Sequence, residues 1–466
     1  MLMIAAQTLA AAPSQQQQPA DQLARIRQRG TLQVLTCNGP TTFYAGPSGP
    51  AGLEYELAKL LADELGVALQ MVTLPSRRTV LRAVAQGIGD VAAAGITVTA
   101  QRRQQLRFAP SYQTIAEQVV YRKGDADHPD KISDLYGQEI AVSAGSSHAE
   151  HLAELATAHP ELEWTAHADL SSDELLFLTY EHEIAYTIAN SHKVALYRRY
   201  FPELRVGFDL SEPQKLAWAL ARQADASLIA AVTAFFKKIQ ANGTLRHLQE
   251  RYYGHLEEIN YVGTRRLLRH AEQRLPQYQA WFEQAAAKHD FDWRLLAAVS
   301  YQESHWRVDA VSPTGVRGLM MLTNDTATEV GVNNRLDPKQ SIFGGARYLA
   351  RIKRRIPEAV SEPDCTWFAL VAYNMGHGHL LDAMKLTEQQ GLNPHRWVNI
   401  KQNLPLLERR KWYSQLKYGY ARGYQALHYV QNIRAYYDIL VWHTSGLEML
   451  PISAEAANRV GQPTLD

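Results

Sequence analysis

The chain has 466 residues, of which 46% are hydrophobic and 20% charged, with a formal net charge of +1. That balance belongs to a globular protein of two or three domains and excludes a mostly disordered chain, a fibrous repeat and a general nucleic-acid binder. No apolar run approaches the ~18 to 20 residues that a membrane-spanning helix needs, and the two cysteines, Cys37 and Cys365, stand too far apart for a disulfide framework or metal-ligand spacing.

Residues 1–12 form a short apolar run ending in Ala10-Ala11-Ala12, which reads equally as the remnant of a secretory signal and as a loose apolar tail. Residues 14–20, SQQQQPA, form a polar linker that buries nothing. Strand candidates follow at 31–36, 69–73, 91–94, 118–121, 139–142 and 184–188, with helical patterns at 55–65 and 147–159 between them. Alternating strand and helix predicts an α/β domain with largely parallel sheets. The character changes near residue 257. Residues 1–256 carry 23 Lys and Arg against 26 Asp and Glu, whereas residues 257–450 carry 24 against 19. The second part is helical in pattern almost throughout. The expected organisation is a signal remnant or loose tail with a linker over 1–20, an α/β domain over 21–256, a helical domain over 257–450 and a loose tail over 451–466.

In the first domain, Gly52-Leu53-Glu54-Tyr55-Glu56-Leu57 opens a helix that Gly66 stops. Then come Gly87-Ile88-Gly89-Asp90, Thr97, Arg102 with Arg103, and Phe108-Ala109-Pro110-Ser111-Tyr112. In this order the motifs resemble the periplasmic solute-binding proteins for amino acids, over roughly residues 25–253. The resemblance implies two α/β lobes with a cleft between them, and no catalysis. It implies that Arg102 clamps a ligand carboxylate, a task suited to the guanidinium fork, with Thr97 as a neighbouring hydroxyl donor. Asn190 stands where that family places an Asp for the ligand ammonium. An amide lacks that charge, so free amino acids are expected to bind poorly and an amidated or peptide-like ligand, such as a muropeptide, better.

In the second domain, Asp292 predicts an N-cap and a helix over 293–304. Trp293, Leu296 and Val299 form an apolar stripe that Glu303 continues. A carboxyl on such a stripe is either paired or protonated, and a protonated Glu at neutral pH can serve as a general acid; on this pattern alone a Glu salt-bridged at a helix end is the better reading. The following residues are Ser304, then Ser312-Pro313-Thr314-Gly315 and Gly318-Leu319-Met320-Met321. Downstream lie Asp337-Pro338, Ala372-Tyr373-Asn374-Met375-Gly376 and Tyr429-Val430-Gln431-Asn432-Ile433. Together they resemble the goose-type lysozyme-like lytic transglycosylases, over residues 293–436. The implied fold class is therefore an α/β two-lobed binding-protein-like domain followed by a mainly α lysozyme-like domain.

That resemblance implies cleavage of peptidoglycan glycan strands without water, with Glu303 as the catalytic residue and no cofactor. Ser312, Gly318, Met320, Met321, Tyr373, Asn374 and Tyr429 are the implied substrate-binding set, Tyr429 donating to Glu303. Met321 departs from the Gln of many members, which predicts less polar sugar contacts there. His377 and His379, two apart, do not share a helical face, and no metal site is expected. The implied location is the periplasm of a Gram-negative bacterium, peripheral at the inner face of the outer membrane. Two other readings remain: a solute receptor whose helical half merely binds cell wall, and a lysozyme that hydrolyses with water.

Overall fold

A computed structural model describes residues 21–46, 49–124, 127–223, 225–255, 261–312 and 315–445, with the side chains of Tyr261, Val262 and Ser445 excepted. The expected signal remnant or loose tail with its linker over 1–20, the tail over 451–466 and the division at 257 fall outside the described residues.

The α/β half is two lobes, each built on a five-stranded sheet. In the first, Thr31–Thr36 lies between Ala68–Thr73 and Val91–Ala92, parallel to both. The sheet then continues antiparallel through Ala219–Ala221 to Leu106–Phe108. In the second, Ile140–Ser143 lies parallel between Thr165–His167 and Tyr186–Asn190; Glu117–Arg122 and Leu204–Asp209 add antiparallel. Both sheets are thus mixed and not largely parallel as expected. The reason is topological. The chain crosses between the lobes twice, and the antiparallel pairings in both sheets all involve the strands that flank the crossings: Leu106–Phe108 and Glu117–Arg122 at the first, Leu204–Asp209 and Ala219–Ala221 at the second. At the crossing, Gln113–Ile115 and Gln214–Leu216 pair antiparallel as a two-stranded hinge.

The predicted helix at 55–65 is Leu53–Leu65, ended by Gly66 in the left-handed conformation that glycine adopts at low cost. Its Glu54 is buried and accepts hydrogen bonds from Tyr112 Oη (2.5 Å), Trp218 Nε1 (2.6 Å) and the Gly95 amide (2.8 Å). One carboxylate therefore ties the helix to both sides of the hinge.

The second half is helical, apart from isolated bridges such as Val311 to Arg317 among the described residues. Its core is a single apolar cluster that includes Leu296, Val299, Trp306, Phe368, Val430 and Ile433. The last helix, Gly423–Ser445, belongs to both halves. Tyr429, Ile433 and Tyr436 lie on the face toward Trp293–Ser304, where the Tyr436 ring meets Tyr301 edge-on at 4.9 Å. Arg434, Asp438 and Trp442 repeat at i, i+4 and i+8 on another face and meet the α/β half. There the Arg434 guanidinium donates to Glu250 Oε1 (3.1 Å) and to the carbonyls of Glu250 (2.9 Å) and Arg251 (3.1 Å). Asp438 accepts from Arg199 (2.7 Å) and His255 (2.7 Å), and Trp442 stacks on Tyr200 at 5.3 Å.

Candidate active site

Glu303 stands in the last turn of the helix Trp293–Ser304, which Asp292 caps as predicted by accepting from the Arg294 amide. His305 and Trp306 then both take left-handed backbone, so the chain turns sharply away beyond the carboxyl. Trp306 is buried, and its indole N–H donates to the Ala297 carbonyl, 2.9 Å away, back in the helix. A charge at a helix C-terminus meets the negative end of the backbone dipole, which disfavours a carboxylate.

The loop that follows is pinned over this helix end by hydroxyls. Ser300 and Ser304, one turn apart, both donate to the Leu319 carbonyl at 3.0 Å. Tyr373 donates to the next carbonyl, Met320, at 2.9 Å, and Ser341 Oγ lies 3.1 Å from the Met320 amide. Gly318 has φ of +82°, and a Cβ there would lie 1.9 Å from the Arg335 carbonyl oxygen, so no side chain fits. A Cβ at Gly345 would come within 2.6 Å of the Met320 side chain.

The carboxyl of Glu303 accepts a 2.5 Å hydrogen bond from Tyr429 Oη, as the motif implied. Burial pushes its pKa up to about 7, and the Tyr429 hydrogen bond holds it from rising further. Among the described residues no second acid contributes to that shift. Its side chain keeps partial exposure.

Other expected site residues take different places. The Met320 side chain is fully buried in the core, so its part in the site is its backbone, braced by Tyr373 and Ser341. Gly318 approaches the Arg335 carbonyl, where the resemblance implied substrate binding. Tyr373 spends its hydroxyl on the loop, with its ring 5.4 Å from Tyr348. Ser312 Oγ lies 3.2 Å from the Val316 amide and supports the loop's own turn. Met321 is half-buried with φ of +46°, and Asn374 is half-buried at the end of the helix Asp364–Met375. Ser300, Ser304 and Ser341 were not singled out by their chemistry; the four-residue spacing of Ser300 and Ser304 was the available signal.

Comparison with known proteins matches this organisation. Residues 32–255 match the family described as bacterial extracellular solute-binding proteins, family 3, and residues 280–395 match the transglycosylase SLT domain. A membrane-bound lytic murein transglycosylase F 1 from Alkalilimnicola ehrlichii is 47% identical over 450 residues, spanning 96% of this chain and 90% of the relative. The chain belongs to the membrane-bound lytic murein transglycosylase F family. A second member, from Pseudomonas fluorescens, is 47% identical over 91% of this chain and 87% of its own length. Among solved structures, an ancestral arginine-binding protein bound to arginine aligns with 48% of this chain and 99% of its own, at 21% identity and a TM-score of 0.44.

In the solute-binding-like half of this transglycosylase F family member, Arg102 is buried and its guanidinium is engaged within the chain. It donates to Glu150 Oε1 (2.9 Å), the Thr97 carbonyl (3.1 Å) and the Gly145 carbonyl (3.3 Å). Glu150 Oε2 accepts from Thr99 Oγ1 at 2.7 Å. Arg102, Thr97 and Thr99 belong to the first lobe; Glu150 and Gly145 belong to the second. Sequence reasoning expected a ligand carboxylate on Arg102, and an internal carboxylate sits there instead. Thr97 is buried with its hydroxyl 3.2 Å from Ser147 Oγ, and Asn190 Oδ1 lies 2.8 Å from His148 Nε2. The open part of the interlobe cleft is a cavity of about 300 Å3 beside this cluster, bordered by Arg77, Arg78, Ser146, Ser171 and Asp173.

Tyr429→Phe is expected to slow turnover about tenfold, the scale of one hydrogen bond to a charged group. It should also move the alkaline limb of the pH–rate profile upward, because the lost hydrogen bond is what lowers the Glu303 pKa. A profile that stays in place would leave Tyr429 as a packing residue.

Proposed function

We propose that Glu303 serves as both acid and base in a murein-degrading lytic transglycosylase, cleaving the β-1,4 bond between N-acetylmuramic acid and N-acetylglucosamine without water. The observation that carries this reading is the Glu303 carboxyl at a helix end, held by Tyr429 and pushed by burial to a pKa of about 7, within the stretch that matches the transglycosylase SLT domain. Such a group is partly protonated at neutral pH, so it can give a proton in one step and take one in the next.

Protonated Glu303 donates to the leaving glycosidic oxygen. The muramoyl 2-acetamido group stabilises the oxocarbenium-like centre from within the substrate. The Glu303 carboxylate then takes the C6 hydroxyl proton as O6 bonds to C1, leaving a 1,6-anhydromuramoyl end. Attack from within the same sugar has the proximity advantage that free water lacks. Ordinary glycosidases use a pair of carboxyl groups, whereas Glu303 acts here with Tyr429 as its orienting partner. Met321, Asn374 and Ser312 line the sugar path, and Gly318, Met320 and Tyr373 hold the loop in place. No cofactor takes part.

The mass of the soluble products from purified sacculi tests the reading. Anhydro ends support it. Reducing ends would favour hydrolysis by water, and an absence of products would favour the receptor with a wall-binding helical half.

The α/β half, placed at 21–256, acts as the small-ligand module, with a muropeptide as the proposed ligand. The substrate supports a periplasmic location at the inner face of the outer membrane; no described helix is long and apolar enough to cross a membrane. Because Glu150 already satisfies Arg102, a free amino acid such as L-alanine must displace a tethered carboxylate. Glu150→Ala is expected to tighten L-alanine binding at least ~tenfold in calorimetry of the full chain. Unchanged affinity would remove Glu150 from the ligand site.

A further inference from the structure

Among the described residues seven large apolar side chains stand exposed, and three of them, Tyr418 (46%), Tyr420 (54%) and Tyr424 (49%), fall close together in the chain. They lie between Arg410–Tyr413 and the first turn of the last helix. Single exposed rings are ordinary, but gathered ones mark a surface that meets a partner.

This segment has little regular structure, yet its backbone is fixed. The buried Asp382 carboxylate accepts from the amides of Lys417 (3.2 Å) and Tyr418 (2.8 Å). Leu416 and Ala421 are buried, and the Ala421 amide donates to the Leu407 carbonyl at 3.2 Å. The Tyr424 amide donates to Glu408 Oε1 at 2.8 Å. The rings are braced too: Tyr420 meets Tyr413 edge-on at 5.7 Å, and Tyr418 meets the His379 ring edge-on at 6.2 Å. A segment anchored in this way has already lost the freedom that binding would otherwise cost.

The three rings adjoin the elements that form the site around Glu303. Tyr418 packs on Gly378, where a Cβ would lie 2.7 Å from its ring, and Gly378 follows Asn374 by one helical turn in sequence. Tyr424 precedes Tyr429 on the same helix by about 7.5 Å along its axis. Residues 409–424 carry five Lys and Arg and no Asp or Glu, which suits a partner bearing carboxylates. Lys417 stands over the Tyr418 ring, 5.2 Å from its centre. A glycan strand of murein has the matching chemistry. Each pyranose turns a face of C–H groups to an aromatic ring and hydroxyls to a phenol, and the stems on its muramoyl sugars end in carboxylates.

We propose that Tyr418, Tyr420 and Tyr424, with Lys417, form a platform that holds the glycan strand beyond the two sugars flanking the scissile bond, so that long strands are bound in preference to short ones. The proposal rests on the murein substrate assigned above. Contacts with these remote sugars supply binding free energy to the reaction at Glu303.

The test uses full chains that also carry Glu303→Gln, so that binding is read without turnover. Calorimetry compares a murein octasaccharide with the tetrasaccharide. The octasaccharide should bind at least ~tenfold tighter. Tyr418→Ser combined with Tyr420→Ser should weaken the octasaccharide about tenfold and leave the tetrasaccharide unchanged, whereas Tyr418→Phe with Tyr420→Phe, which keep the rings, should retain most of the preference. Equal affinity for the two lengths before substitution, an equal loss at both lengths, no loss on the Ser substitutions, or Phe behaving as Ser would each overturn the proposal. Vesicles containing phosphatidylglycerol serve as the control: binding to them that the Ser substitutions abolish, with octasaccharide affinity intact, would overturn it in favour of a membrane surface. Failure of the catalytic reading shows separately, as a native chain that leaves no anhydro ends on the tetrasaccharide whatever its binding.

Discussion

Glu303→Gln is expected to reduce the release of soluble products from sacculi by ~10³-fold or more, because Gln keeps the shape and cannot transfer the proton. Turnover within ~tenfold of the native chain would refute the role assigned to Glu303. The same substitution has a second, pH-dependent effect of opposite sign. The folded pKa of Glu303, about 7, lies above its ordinary value of 4.5. Its contribution to stability is thus fully present below the unfolded value and is lost as pH rises through the folded one. At pH 8 the native chain must bury a carboxylate that Gln does not carry. The variant should therefore be more stable at pH 8 by up to ~3 kcal/mol, less the share screened by residual exposure. At pH 4 the gain should vanish. Thermal unfolding of both chains at the two pH values checks this, and an equal difference at both would mean that the site does not resist ionisation.

Arg434→Met is expected to destabilise the junction by about 3 kcal/mol, the scale for removing one partner of a buried ion pair. Arg434 is buried and closes the C-terminal end of the helix Thr244–Tyr253 through two carbonyls as well as Glu250. Met fills the space and restores none of these contacts, although Lys401 still reaches Glu250. Scanning calorimetry should then show the α/β half and the helical half unfolding at separate temperatures. A melting profile identical to that of the native chain would mean that Arg434 contributes little to the junction.

Much of this was legible in the residues, for local reasons. The strand at Thr31–Thr36 and the helices at Leu53–Leu65 and Trp293–Ser304 follow from hydrophobic period, glycine stops and the Asp292 cap, which act within a few residues. Glu303 was legible because its motif combines a helix end with a specific loop, and Tyr429 because its motif came with it. The roles of Met320 and Gly318 were not, since only the fold shows that one side chain enters the core and that the other position faces the Arg335 carbonyl. Arg102 was expected to hold a ligand carboxylate; Glu150, which occupies its guanidinium instead, comes from the other lobe, and no periodicity reports a contact across a hinge. For the same reason the Arg434–Glu250 and Asp438–Arg199 pairs, each joining residues far apart in the chain, left no local trace.

The last helix has a phase as well as a length. Tyr429 must face Glu303 while Arg434, Asp438 and Trp442 face the α/β half, and a rigid helix fixes the angle between those directions. One residue inserted between 429 and 434 would rotate one set of contacts against the other by about 100° and advance it about 1.5 Å. Either Tyr429 would leave the carboxyl or Arg434 would leave Glu250. The length of this stretch is therefore fixed, and the spacing from Tyr429 to Arg434 is a ruler by which the catalytic half and the binding half are kept in register.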